Sequence, residues 1–337
     1  MNCKRLCFLA SCLVLLAIAN VLWGSLDIPV GDVWRILRGD EIEGHRAWSI
    51  IVLQGRVPQM VTALLTGTAL GTCGLLLQTA FRNPLAGPSI LGIDSGANLG
   101  VAIVLLLLGG TVSIGNLTLG GHLLVITAAM AGALGIMALL MLLSRLLRSQ
   151  VMLLITGVII SYVTGSIIQL LNYSATEQGV FSFVIWGMGN FASVGVERMP
   201  IFCALSCLGL LLALLLIKPL DALLLGDRYA ENLGIRIGRV RQMLLLVTGL
   251  LTATTTAFCG PISFIGLAVP HLARLALGTS YHRTLMPATM LIGANLALAC
   301  NLISALPRDG SLIPISVITP LIGAPVVLHV ILKSNKT

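Results

Sequence analysis

Charge is what this sequence has least of. Only 9% of its 337 residues are Asp, Glu, Lys or Arg, where soluble domains carry about 25%. Apolar residues make up 57%, and the mean hydropathy is +1.02. A soluble fold of this length could not cover its surface from that supply, which places the chain among polytopic membrane proteins and excludes disordered, collagen-like and disulfide-scaffold classes. The eight cysteines form no CxxC pair, and all but Cys3 lie in apolar segments, where a thiol behaves as a small hydrophobe. No GxxxxGK[ST] phosphate loop is present: none of Lys4, Lys218, Lys333 and Lys336 follows a glycine. The five histidines show no HExxH or similar ligand spacing, and there is no GxSxG elbow, so a metal site and covalent catalysis both lack support. Carboxylates are missing from the middle of the apolar runs. Asp94, at the start of the third run, is the nearest, and it reads as a cap on free helix amides, with an ion relay as the alternative. A transporter with neither a nucleotide site nor a buried ion-coupling group must take its energy from a partner.

What the sequence does contain is long aliphatic runs, at residues 6–24, 58–80, 92–109, 122–143, 151–171, 201–217, 243–259, 263–277, 285–306 and 312–332. They predict an all-α polytopic protein of ten transmembrane helices in a single domain, residues 1–337. The first run, which follows Lys4 and Arg5, reads as an uncleaved span, because too few apolar residues precede Cys12 for a signal peptide. The eighth is too short to cross alone between Pro261 and Pro270, as expected of a helix packed among neighbours. The net charge of +8 comes from basic residues scattered singly, which argues for topology and against nucleic acid. Of the twenty, only Arg35, Arg38, Arg46, Arg56, Arg198 and Arg308 fall in one set of loops, so both termini are predicted on the other, cytoplasmic side. Gly67 and Gly71, and Gly92, Gly96 and Gly100, recur at four-residue spacing and predict close helix packing within the subunit.

Four segments carry a family likeness. Arg56-Val57-Pro58 opens the second span. Arg82-Asn83-Pro84-Leu85-Ala86-Gly87-Pro88 follows it, with Leu91-Gly92 and Gly96-Ala97 behind, and the prolines there break the helix. Gly260-Pro261-Ile262-Ser263-Phe264-Ile265-Gly266-Leu267 leads into Pro270-His271 and Arg274. Pro314-Ile315-Ser316, Thr319 and Gly323-Ala324-Pro325 mark the last span. Over nearly its whole length the chain resembles the FecCD-type permeases, the membrane subunits of type II ATP-binding-cassette importers for iron-siderophores, haem and cobalamin.

That resemblance implies a homodimer in the bacterial cytoplasmic (inner) membrane, two ATPase subunits that bind the ATP and Mg, an external substrate-binding protein, and no covalent chemistry in this chain. It also assigns roles. The charged loop 219–242 reads as two short helices, with Asp227 capping a turn that holds Tyr229, Ala230 and Leu233, and Gly234 breaking it before Ile235 and Arg236. In the resembled family it is the coupling loop, lying in a groove of the ATPase. His271 and Arg274 share a helix face at that edge, suited to packing under a partner or to binding loop carbonyls. Ser161, Thr164, Gln169 and Asn172 fall on one stripe of the fifth span. With Ser316 and Thr319 they are the expected translocation path, interhelical hydrogen bonding being the alternative. Arg56, Arg46 and Arg308 are the expected docking residues for the binding protein. The chain departs from the family pattern at Gln59, where a second arginine is usual, and at Asn301 and Ala305, where Asp and Arg are usual. The competing classes are a carrier or channel working alone and, more distantly, an intramembrane enzyme.

Overall fold

Pro and Gly punctuate the aliphatic runs, and the chain folds into helices between them. The computed structural model describes residues 2–40, 42, 44–114, 117–147, 149–307 and 311–334. The helices are α1 (Asn2–Leu22), α2 (Val30–Leu37), α3 (Arg46–Ile50), α4 (Val57–Phe81), α5 (Ile93–Ala102), α6 (His122–Leu146), α7 (Gln150–Ser174), α8 (Glu177–Gly187), α9 (Met199–Leu215), α10 (Ile217–Leu224), α11 (Asp227–Asn232), α12 (Ile237–Cys259), α13 (Ile265–Leu277), α14 (His282–Ser304) and α15 (Ile315–Ser334). A short antiparallel hairpin, β1 (Thr111–Ile114) with β2 (Leu117–Gly120), precedes α6.

Among the described residues, six helical stretches are long and apolar enough to cross a membrane: α1 from Lys4, the continuous stretch Arg46–Phe81, α6, α7 from Val151, α12 and α14. A seventh forms if α9 and α10, bent by 46° at their junction, are one span. Three shorter apolar helices accompany them: Ile93–Leu107, Ile265–Leu277 and Ile315–Leu328. Every apolar run identified in the sequence coincides with one of these helices. The sequence reading missed what lies between the runs, namely α2, α3 and α8.

Helices α4, α12 and α14 form the centre, α4 packing along α14, α12 and α13, while α6 closes on α5 and α12. Small residues permit this. A Cβ on Gly67 would overlap the Gly293 carbonyl of α14, and one on Gly96 the Gly132 carbonyl of α6. The four-residue glycine spacing therefore serves contacts inside the subunit, as expected. The centre is also rich in hydroxyls: Thr62, Thr66 and Thr72 of α4 and Thr248, Thr252 and Thr256 of α12 are all buried. Thr62, Thr72 and Thr248 donate to the carbonyl four residues back, while Thr66, Thr252 and Thr256 pair with Cys259, Cys73 and Asp94, so each hydroxyl is satisfied without water.

Asp94 is not a helix cap. Gly92 occupies the N-cap of α5 at φ +76, and the Asp94 carboxylate accepts hydrogen bonds from Ser89 Oγ (2.9 Å) and Thr256 Oγ1 (2.7 Å). It ties the start of α5 to α12.

Candidate functional site

At one end of the bundle the chain between α9 and α12 forms two short helices, α10 and α11; of the expected pair α11 is present, but the segment after Gly234 opens the long helix α12 in place of a second short one. Gly226, at φ +112, is the N-cap of α11, and Asp227 follows it in the first turn without bonding a backbone amide. The predicted cap is therefore wrong in detail. The Asp227 carboxylate instead takes Arg82 Nη2 at 2.6 Å and Arg241 Nη2 at 2.9 Å, one oxygen each. Arg82 ends α4 in the left-handed region at φ +46, a conformation costly for a residue with a Cβ. The other described non-glycine residue there is Phe264, at φ +67, just ahead of α13. Both lie in segments that carry the family likeness, where backbone strain tends to collect at working positions.

The faces of α11 differ from the expectation at one residue. Tyr229 and Leu233 are exposed, at 53% and 58%, but Ala230 is fully buried in the chain's own core. Ala230 is thus unavailable to a partner in this conformation. Gly234 is exposed at φ +81 with open space around it, Ile235 is half-buried, and Arg236 is exposed at the start of α12. The loop presents an apolar tip, Tyr229 with Leu233, on a charged frame.

Behind this tip lies a second layer. His271 is buried, its Nε2 2.8 Å from the Pro84 carbonyl. That contact holds the proline-rich turn after α4 against α13, so of the two roles expected for His271, the bond to a loop carbonyl is the one present. Arg274 donates from Nη1 to Gln78 Oε1 at 2.6 Å. His282, fully buried, donates from its amide to Asp221 Oδ1 (2.6 Å), its Nδ1 lies 2.9 Å from the same oxygen, and its Nε2 lies 2.8 Å from Thr79 Oγ1. Asp221 belongs to α10, so this contact joins α10 to α4 and α14. Sequence reading missed it, because His282 and Asp221 are far apart in the chain.

At the opposite end the arginines part company. Arg56 is only 6% exposed, and its guanidinium donates to the carbonyls of Val21 (3.1 Å), Leu22 (2.8 Å) and Leu26. The first two carbonyls are left over at the end of α1 and the third lies in the turn behind it, and a buried cation satisfies them. The docking role expected for Arg56 is therefore corrected to a clamp on the end of α1. Arg46 is exposed at the start of α3 and stays available. Arg308 lies outside the described residues. Next to Arg56, Gln59 Nε2 donates to Asn301 Oδ1 (2.9 Å), and Asn301 Nδ2 to Asn20 Oδ1 (2.8 Å). The two departures from the family pattern, Gln59 and Asn301, thus meet as a neutral amide pair where an arginine and an aspartate would be expected.

The predicted path residues are not brought together within one chain. Ser161 and Thr164 return their hydroxyls to their own helix, at Gly157 and Ile160, and Ser161 faces Gly92 ahead of α5. Gln169 is exposed and Asn172 half-buried. On α15, Thr319 is buried and bonds the Ile315 carbonyl, while the Ser316 amide donates to the Met188 carbonyl. Helix α7 packs on α5, and α15 on α13 and α14. Both leave apolar flanks exposed, among them Tyr162 and Ile159 on α7, and Val317 and Leu321 on α15. A cavity of about 840 Å³ opens at this end, lined among others by His122, Phe181, Trp186, Asn190, Glu197 and Cys259. None of the six predicted path residues lines it, and α8, which supplies Phe181 and Trp186, was not foreseen.

Comparison with known proteins fits this geometry. The hemin transport system permease protein HmuU of Yersinia pestis is 32% identical over 330 residues, covering 98% of this chain and 95% of that protein. The molybdate import system permease protein MolB of Haemophilus influenzae is 34% identical over 320 residues, covering 93% and 90%. A solved structure described as an inward-facing conformation of a metal-chelate type ABC transporter superposes with a TM-score of 0.81 at 30% identity, covering 99% of this chain and all of that one. The FecCD transport family model matches residues 12–333, nearly everything the fold comprises, and the chain belongs to the FecCD transport family.

Proposed function

We propose that this chain is the permease subunit of an ABC importer of the inner membrane, working as a homodimer with two ATPase subunits and an external binding protein. Family membership supports the class. The observation that carries the coupling assignment is the exposed Tyr229 and Leu233 tip, held by the Asp227 clasp to Arg82 and Arg241. An apolar pair on a charged frame, facing water in the single chain, suits a groove in a partner protein. The chain crosses the membrane ten times, the three shorter helices and the bent pair completing the six full-length ones, with both termini in the cytoplasm. ATP binding and hydrolysis in the partners drive alternating access through α10 and α11, and the exposed flanks of α7 and α15 meet their copies in the second subunit around the path. This reading makes the chain a transport subunit and not an enzyme.

The substrate is an iron chelate, haem or cobalamin. Relatives of similar identity carry names for hemin and for molybdate, so the ligand must be read from the assembled importer. The test is co-expression with the ATPase and binding protein of the same operon, followed by ATP-dependent uptake into proteoliposomes. Ferric siderophore, hemin, cobalamin and molybdate would be offered in competition. ATP-driven uptake that Leu233→Asp abolishes supports the assignment. Uptake by the chain alone, driven by an ion gradient, would return the protein to the carriers.

A further inference from the structure

Between the end of α4, the end of α10 and the turn joining α13 to α14 lies a second cavity, of about 220 Å³. Its polar walls are Gln78, Thr79, Arg82, Arg274, Ser280 and His282. Leu223 and Leu224 supply its apolar lining.

The charges around it do not balance. Asp227 is shared between Arg82 and Arg241, and Asp221 Oδ1 accepts twice from His282. Arg274 has no carboxylate within ion-pair reach among the described residues, and its one protein acceptor is the neutral Gln78 amide oxygen. A partly buried guanidinium carries five N–H donors, and leaving most of them without an acceptor is costly. Ser280 is exposed at the rim, where its hydroxyl can serve as a further donor. Arginine forks match tetrahedral oxyanions, offering parallel N–H groups to two oxygens at once. The volume accommodates one such group with a few waters, each of which occupies about 30 Å³.

We infer that this cavity is a binding site for a phosphate group, held by Arg274 and Arg82 with Ser280 at the rim. The group is either the phosphodiester of an anionic phospholipid, its glycerol lying against Leu223 and Leu224, or free inorganic phosphate. The inference is independent of the transport reading, since it concerns equilibrium binding to the chain alone.

The experiment uses the full-length chain purified in a neutral detergent. One arm titrates inorganic phosphate against chloride at constant ionic strength and follows the thermal unfolding midpoint. The other adds phosphatidylglycerol or phosphatidylcholine and counts retained lipids by native mass spectrometry. A saturable shift with phosphate alone identifies the free ion. One retained phosphatidylglycerol per chain, with no phosphatidylcholine, identifies the lipid. In either case Arg274→Gln should weaken binding at least roughly ten-fold, as expected for loss of a charge-assisted hydrogen bond. Ser280→Glu places a carboxylate in the cavity without removing any existing bond, and should abolish binding in a chain that still folds. Binding that survives both variants, or no effect of phosphate beyond chloride and no selective lipid, overturns the site. If nothing binds but Ser280→Glu impairs association with the ATPase, the occupant is a partner side chain and the inference fails.

Discussion

Arg56 and Arg82 stand at the two ends of the same central helix and do opposite things. Arg56, just before α4, is buried and spends its donors on the carbonyls of Val21, Leu22 and Leu26. Arg82, just after α4, is half exposed and reaches across to Asp227 on α11. Both lie in segments that mark the family, and of the two only Arg56 was expected to dock the binding protein. The difference is what each one faces: leftover helix carbonyls in one case, and a carboxylate on a short surface helix in the other. An arginine in a shared motif is therefore assigned by its acceptors and not by its charge.

Four variants test this contrast, ordered by their expected effect on folding stability. Asn301→Asp comes first, because it loses the donor to Asn20 and places a carboxylate in a buried site, at a cost of roughly 3–5 kcal/mol. Adding Gln59→Arg should recover much of that loss by restoring an ion pair. A double-mutant cycle on detergent-solubilised protein measures it, and zero coupling would mean that residues 59 and 301 do not act as a pair.

Arg56→Ala should cost roughly 2–4 kcal/mol, since it strips a charged donor from buried carbonyls. Thermal unfolding and expression level report it. A variant of unchanged stability that no longer binds its external partner would restore the docking role.

Ala230→Trp follows, at about 1–3 kcal/mol, because Ala230 packs inside the chain and the larger ring has no room. Unfolding should shift even with no ATPase present. A normal midpoint would mean that α11 can turn its buried face outward.

Leu233→Asp should change stability by less than about 0.5 kcal/mol, being an exposed site, yet lose association with the ATPase. Pull-down with the partner subunit checks it. Retained association would leave the tip without a role.

The helices were legible in the sequence because aliphatic runs of spanning length have few other uses, and each predicted run falls on one. What escaped lies where local pattern is weak. Helix α8 sits in a stretch that reads as loop, although its Phe181 and Trp186 line the larger cavity. The buried face of α11 could not be read from six residues, since a helix of under two turns has no resolved periodicity. Asp227 looked like a cap because its competitors for that carboxylate, Arg82 and Arg241, come from two other helices. Arg56 was misread for the same reason: its acceptors belong to α1 and the turn behind it.

The Asp227 clasp has a mechanical consequence. Its two oxygens are attached to different load-bearing members, one to the end of the continuous stretch Arg46–Phe81 and the other to the first turns of α12. The first of these is 36 residues long, roughly 50 Å at the α-helical rise. The two helices it grips, α4 and α12, pack against each other in the centre, so the clasp fixes the position of α11 relative to both at once.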